Sequence, residues 1–185
     1  MTKAVEEAIL EKKTAQRVRN NLEAIKLIRE LKAKDYAATP EEQATLAKFV
    51  GWGGLREDVF GYGLERAYDL ERSGDVEAAK RHLRREGISQ SAYDLHKELR
   101  SVLNDSEYES AKASASTAFY TPIYFVEALH DNLRHLGVKG GRFLGPSAGV
   151  GNFASASGEY EKPVNWQFVE KDAMTGEMLK ALFPN

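Results

Sequence analysis

The sequence predicts an α+β fold that is mostly helical, with a helical region over residues 1–112 and a β-α-β segment over residues 113–185. Three observations lead there. Strong helix formers run without Gly or Pro from about Val5 to Lys34, and Val18, Leu22, Ile25 and Leu31 recur on one face. Helix-start signals then punctuate further apolar-periodic runs. From Phe119 onward the pattern changes to short apolar runs separated by glycines. At 185 residues and 42% hydrophobic content the chain can enclose a core.

Taken in order, the first long helix is followed by Thr39-Pro40-Glu41-Glu42, which reads as a capping box with proline in the first turn of a helix reaching about Val50. Gly51-Trp52-Gly53-Gly54 ends that helix. Residues Leu64 to Leu103 read as helices broken near Ser73-Gly74 and Gly87, with Tyr68, Leu83, Tyr93, Leu95 and Leu99 inside. Asn104 with Glu107 forms a second capping box, for a helix through Tyr108 and Lys112. Thr121 is then the expected cap of a helix with Pro122 at its first position and Val126, Leu129, Leu133 and Leu136 as its buried stripe, stopped by Gly137.

After the Gly140-Gly141 turn, Arg142-Phe143-Leu144 is a short strand that enters Gly145-Pro146-Ser147-Ala148-Gly149-Val150-Gly151-Asn152-Phe153. Gly149 and Gly151 let backbone amides approach a ligand with no Cβ in the way, and the helix that follows directs its amino terminus at the same place. A second strand, Val164 to Val169, ends in the carboxylate of Glu170, which in this arrangement accepts from ribose hydroxyls. The ordered set predicts a truncated Rossmann-like segment of the nucleotide-cofactor type.

The strings AFYTP, FLGPSAGVGNF and WQFVEKD resemble the first landmarks of S-adenosylmethionine-dependent adenine DNA methyltransferases. TPEEQATLAKFVGWGGL and YESAKASASTAFYTP are similar to the amino-terminal region of the large methyltransferase-helicase proteins carried by phages and plasmids, some of them tied to protection from host restriction. The resemblance runs from about Ala15 to Pro184. It implies that Tyr120, Thr121 and Pro122 hold the methionine end of S-adenosylmethionine, that Gly149, Gly151 and Phe153 form the glycine loop, and that Glu170 binds the ribose. Where the family carries an acid before the Pro-Ser of the loop, this chain has Gly145, so the cofactor ammonium loses an acceptor and no bound cofactor is expected. The Asn/Asp-Pro-Pro-aromatic block that cradles the target amino group occurs nowhere in the 185 residues. The chain is therefore expected not to be an enzyme by itself.

A formal net charge of −2 excludes a strong whole-protein field for nucleic acid. Basic residues gather locally, over Lys12 to Lys34, including Arg17 and Arg19, and at Arg81, Arg84 and Arg85. A solvated helix face is the ordinary role of such residues, and core packing is the ordinary role of Trp52. In the functional alternative, Trp52 and these arginines are the contact residues for a partner protein. No cysteine is present, which excludes disulfides, thiolate zinc sites and a cysteine nucleophile. His82, His96, His130 and His135 lack metal-ligand spacing and read as surface or hydrogen-bonded histidines. With no membrane span or secretory leader in the sequence, the expected location is the cytoplasm of a bacterial host.

The favoured expectation is a catalytically incomplete methyltransferase-like protein of a phage or plasmid that counters a host defence complex, a restriction enzyme or a CRISPR effector, by protein contact. The alternatives are the S-adenosylmethionine-binding half of a split adenine DNA methyltransferase, and a helical DNA-binding module.

Overall fold

The computed structural model describes residues 13–34 and 37–184. The expected start of the first helix near Val5, and Lys12 of the basic segment, lie outside the described residues. Within them the chain is mostly helical, with ten helices and a two-stranded parallel sheet. It forms two compact units interleaved in sequence. One takes in residues 19–50 and 120–184, the other residues 14–18 and 51–119.

In the first unit, helix α1 (Thr14–Lys34) contributes its residues from Arg19 onward, burying Leu22, Ile25, Ile28 and Leu31 at helical spacing. Helix α2 (Pro40–Leu46) starts on the expected box: Thr39 Oγ1 accepts from the Glu42 amide at 3.3 Å and Glu42 Oε2 from the Thr39 amide at 2.8 Å. It ends four residues before Val50. The Lys48 and Phe49 amides turn back three residues, to Thr45 and Leu46, and the Val50 amide donates instead to the buried Asn21 Oδ1 at 3.0 Å.

The second unit begins with α3 (Arg56–Phe60) and the pair α4 (Tyr62–Arg72) and α5 (Val76–Arg85). It continues with α6 (Gln90–Val102) and α7 (Asp105–Ser114). Gly74 and Gly87 make the expected breaks with positive φ, and Asn104 with Glu107 closes the second box. Leu83, Tyr93, Leu95 and Leu99 are buried as expected, and Tyr68 is half-buried.

The boundary expected between residues 112 and 113 falls instead between Phe119 and Tyr120. The reason is local. The Gly53 amide donates to the Ala118 carbonyl at 3.1 Å and the Gly54 amide to that of Ala115 at 3.0 Å, tying the small-residue run to the GWGG turn.

Back in the first unit, helix α8 (Ile123–His135) departs from its expected start and face. Pro122, at ψ 142°, is the N-cap, and no side chain caps the helix, so Thr121 does not serve there. The buried face is Ile123, Val126 and His130, while Leu129 and Leu136 are exposed and Leu133 is half-buried. His130 decides the rotation. Its ring lies 6.0 Å from those of Phe143 and Trp166 on the sheet, and both of its nitrogens are hydrogen-bonded.

Strands β1 (Gly141–Gly145) and β2 (Val164–Phe168) pair in parallel with Phe143 opposite Trp166 and Gly145 opposite Phe168. Between them lie the glycine loop and the single turn α9 (Asn152–Ser155), and α10 (Ala173–Leu182) follows. Phe143, Trp166 and Phe168 are half-buried on the covered face. Arg142, Leu144, Asn165 and Gln167 lie on the other, where Leu144 is 61% exposed. Among the described residues no third strand pairs with either edge.

Candidate functional site

Of the residues that the sequence singles out after Phe119, Tyr120, Gly149 and Glu170 meet beyond the carboxyl ends of the two strands, the position where open parallel sheets hold ligands, with Gly151 in the same loop. Ladder bonds extend past the strands: the Val169 amide donates to Gly145 at 2.8 Å and the Ala148 amide to Val169 at 3.1 Å. The loop then turns through Gly149 at φ +57° and Gly151 at φ +84°, left-handed conformations that favour glycine. Gly149 is also required for space, because a Cβ there would lie 2.9 Å from Cε1 of Tyr120. At Gly151 it would lie 2.9 Å from Cζ of Phe183 and 3.0 Å from Cδ1 of Leu179.

Glu170 sits just beyond β2 with both oxygens engaged. Oε2 accepts from the Gly149 amide at 2.8 Å and Oε1 from the Asp172 amide at 2.9 Å. Asp172 caps α10, its Oδ1 accepting from the Thr175 amide at 2.8 Å and the Thr175 hydroxyl at 2.7 Å.

Tyr120 completes the group. Its ring packs against Gly149 and meets Phe49 edge-on at 6.3 Å. Burial, and secondarily the charges of Glu170 and Asp172, push the phenol pKa far up, so Tyr120 is a neutral hydrogen-bonding group at any physiological pH. The Gly149 amide is thus satisfied by a side chain of the chain itself.

Asn152, at the start of α9, is 4% exposed, and neither its Oδ1 nor its Nδ2 has a partner. A Cβ at Gly145 would stand 3.3 Å from Cδ1 of Phe168, a tight contact that asks the ring to shift slightly, and 3.7 Å from Cβ of Ala148. Thr121 and Pro122 are half-buried, and Phe153 is exposed. His130 donates from Nε2 to the Phe153 carbonyl at 3.0 Å and accepts at Nδ1 from the Tyr160 hydroxyl at 2.7 Å. It is a buried neutral histidine, its pKa lowered by burial.

Compared with known proteins, the chain matches no family model, no curated protein and no solved structure.

The residues expected at a partner interface divide. Trp52 is 5% exposed and meets Phe60 edge-on at 5.7 Å, so the large ring plugs the second unit's core instead of standing free on the glycine turn. Arg17 is half-buried and donates to the Gly53 carbonyl at 2.9 Å; burial lowers its pKa, partly offset by Asp58. Arg19, Arg81, Arg84 and Arg85 are exposed. Arg85 is engaged with Glu86 and His82, at 3.2 Å each.

Three members of the loop cluster escaped sequence reasoning. Asp172 and Thr175 had a readable signal, a capping Asp three residues before a Thr at the head of Met178, Leu179 and Leu182. Asn152 had none, because an amide without partners is visible only once its surroundings are folded. Among the described residues no group of His, Asp and Glu is placed to hold a metal ion, and no helix is long and apolar enough to cross a membrane.

Proposed function

We propose that residues 120–184 form the opening of a Rossmann-like, methyltransferase-like fold that has dispensed with its cofactor. In this reading the chain counters a host defence complex, a restriction enzyme or a CRISPR effector, by protein contact and without methyl transfer. The observation that carries it is the closure of the glycine loop on its own side chains. Glu170 takes the Gly149 amide and the Tyr120 ring packs against Gly149, so a cofactor entering here must displace a satisfied hydrogen bond and a packed ring. Gly145 adds to this by offering no acceptor for an ammonium group. The bare sheet face around Leu144 is a surface that protein contact would cover, and the resemblance to phage and plasmid proteins supports host defence as the setting.

A second reading, an S-adenosylmethionine-binding half of a split adenine DNA methyltransferase, draws support from the left-handed Gly149 and Gly151. It is also favoured by Glu170, which keeps lone pairs free for ribose hydroxyls. Calorimetric titration with S-adenosylmethionine separates the two. The first predicts no saturable binding up to about 1 mM, the concentration matching roughly 4 kcal/mol of binding free energy. Micromolar binding that disappears in a folded Glu170→Ala protein would establish the second. The immobilised chain is then challenged with purified restriction enzymes and CRISPR effector complexes, and retention of one of them is the expected result.

A further inference from the structure

The pair α4 and α5 carries an exposed set of groups that the loop cluster does not use. After the internal pairings are assigned, its carboxylates are largely spoken for. Glu65 accepts from Tyr108 and Lys112, Glu71 from Tyr93 with Lys97 at 3.5 Å, and Asp75 caps α5. Glu77 pairs with Lys80 at 2.8 Å, and Glu86 with Arg85.

Four exposed guanidinium groups remain, those of Arg66, Arg72, Arg81 and Arg84, with neither a hydrogen bond nor a close ion pair. Arg81 and Arg84 feel only the longer-range charge of Glu77. Asp69 is the one exposed acid on α4 without a side-chain hydrogen bond. Residues 62–86 carry six Arg or Lys and six Asp or Glu, so what marks this surface is four guanidinium groups without a close partner and not its net charge.

An aromatic ring stands with it. Tyr62 is 76% exposed, and Arg66 follows it by one helical turn on the same face. A Cβ on the neighbouring Gly63 would fall 2.6 Å from Cδ1 of Ile88 and 3.8 Å from Cβ of Glu86. This places Tyr62 beside the carboxyl-terminal end of α5, where Arg84 and Arg85 are.

We infer that the outer surface of α4 and α5 is a docking site for single-stranded nucleic acid, the arginines meeting phosphates and Tyr62 stacking on a base. Charge complementarity alone would equally suit an acidic protein. The exposed ring among guanidinium groups selects the nucleic acid, because a base offers a face to stack on and an acidic side chain does not.

The test is fluorescence anisotropy of a labelled mixed-sequence single-stranded 20-mer titrated with the full chain at several salt concentrations, with poly-glutamate as competitor. Binding should weaken steeply with salt. The triple variant Arg66→Ala, Arg81→Ala, Arg84→Ala should lower the log–log salt slope by about 2, since each phosphate contact contributes about 0.7. Tyr62→Ala should weaken binding roughly five- to a hundredfold with the slope kept. All four side chains are exposed, and circular dichroism checks that the variants fold. The proposal is overturned by no salt-dependent binding, by unchanged affinity in the triple variant, or by poly-glutamate displacing the oligonucleotide at equal charge concentration. The readout is nucleic acid, so the outcome with S-adenosylmethionine leaves it untouched.

Discussion

At Gly53 and Gly54 the backbone amides close on other backbone, whereas at Gly149 the amide closes on a side chain. Both stretches are glycine-rich, and both belong to strings that carry the family resemblance. The first is a clasp: a Cβ on Gly53 would fall 2.7 Å from the Ala118 carbonyl carbon, so glycine is there to let two segments of backbone touch. The second is a donor held by Glu170, a side chain that has rotamers to swing away. Glycine in the one place serves contact and in the other leaves an amide that can exchange partners.

The comparison breaks most plainly at Trp52. If the first stretch is structural, Trp52→Ala should destabilise the second unit by about 4 kcal/mol in urea titration, the range for a buried tryptophan. A loss under about 1 kcal/mol would return Trp52 to a surface role. Gly53→Ala comes next, at about 3 kcal/mol, because backbone has to move to admit the methyl group.

Glu170→Gln replaces one acceptor with a donor facing an amide and should cost about 2 kcal/mol. Hydrogen exchange should show it as faster exchange at Gly149 and Asp172, with Gly53 and Gly54 unchanged.

Acid provides a subtler probe. His96 and His130 are buried and neutral, and burial lowers both below the ordinary 6.5. Their unfolded forms bind protons first, so the stability they contribute is complete above about pH 6.5 and drains as pH falls toward the folded values. The slope is at most about 1.4 kcal/mol per pH unit for each histidine. Urea midpoints at pH 7.5 and 5.5 should differ in this sense, and less so in His96→Asn. The smallest effect on stability, under about 1 kcal/mol, is expected of Gly145→Asp, whose Cβ needs only a slight shift of Phe168. If the loop is otherwise competent, that substitution should also raise S-adenosylmethionine affinity at least tenfold in calorimetry.

Local signals were legible. Both capping boxes, the breaks at Gly74 and Gly87, and the order of strand, glycine loop and strand are written within a few residues of where they act. What required tertiary structure was misread. The sequence reads the α8 stripe as Val126, Leu129, Leu133 and Leu136 because leucine outranks histidine in apolarity, yet Val126 alone of these is buried and His130 joins it once Tyr160 and the Phe153 carbonyl satisfy its ring. Thr121 looked like a cap until Pro122 took the boundary position with extended backbone. Glu170 was recognisable as the acid ending β2, but its bond to an amide 21 residues away in sequence was not. The unit boundary moved for the same reason, since the bonds from Gly53 and Gly54 cross more than sixty positions.

The slot at Gly145 has an evolutionary consequence. Every glycine codon becomes an aspartate or glutamate codon by one second-base transition, and a Cβ here would stand 3.3 Å from Cδ1 of Phe168, a tight contact that asks that ring to give by a few tenths of an ångström. An acid is therefore a single mutational step away at this position, and the small shift asked of Phe168 is a weak structural barrier to it.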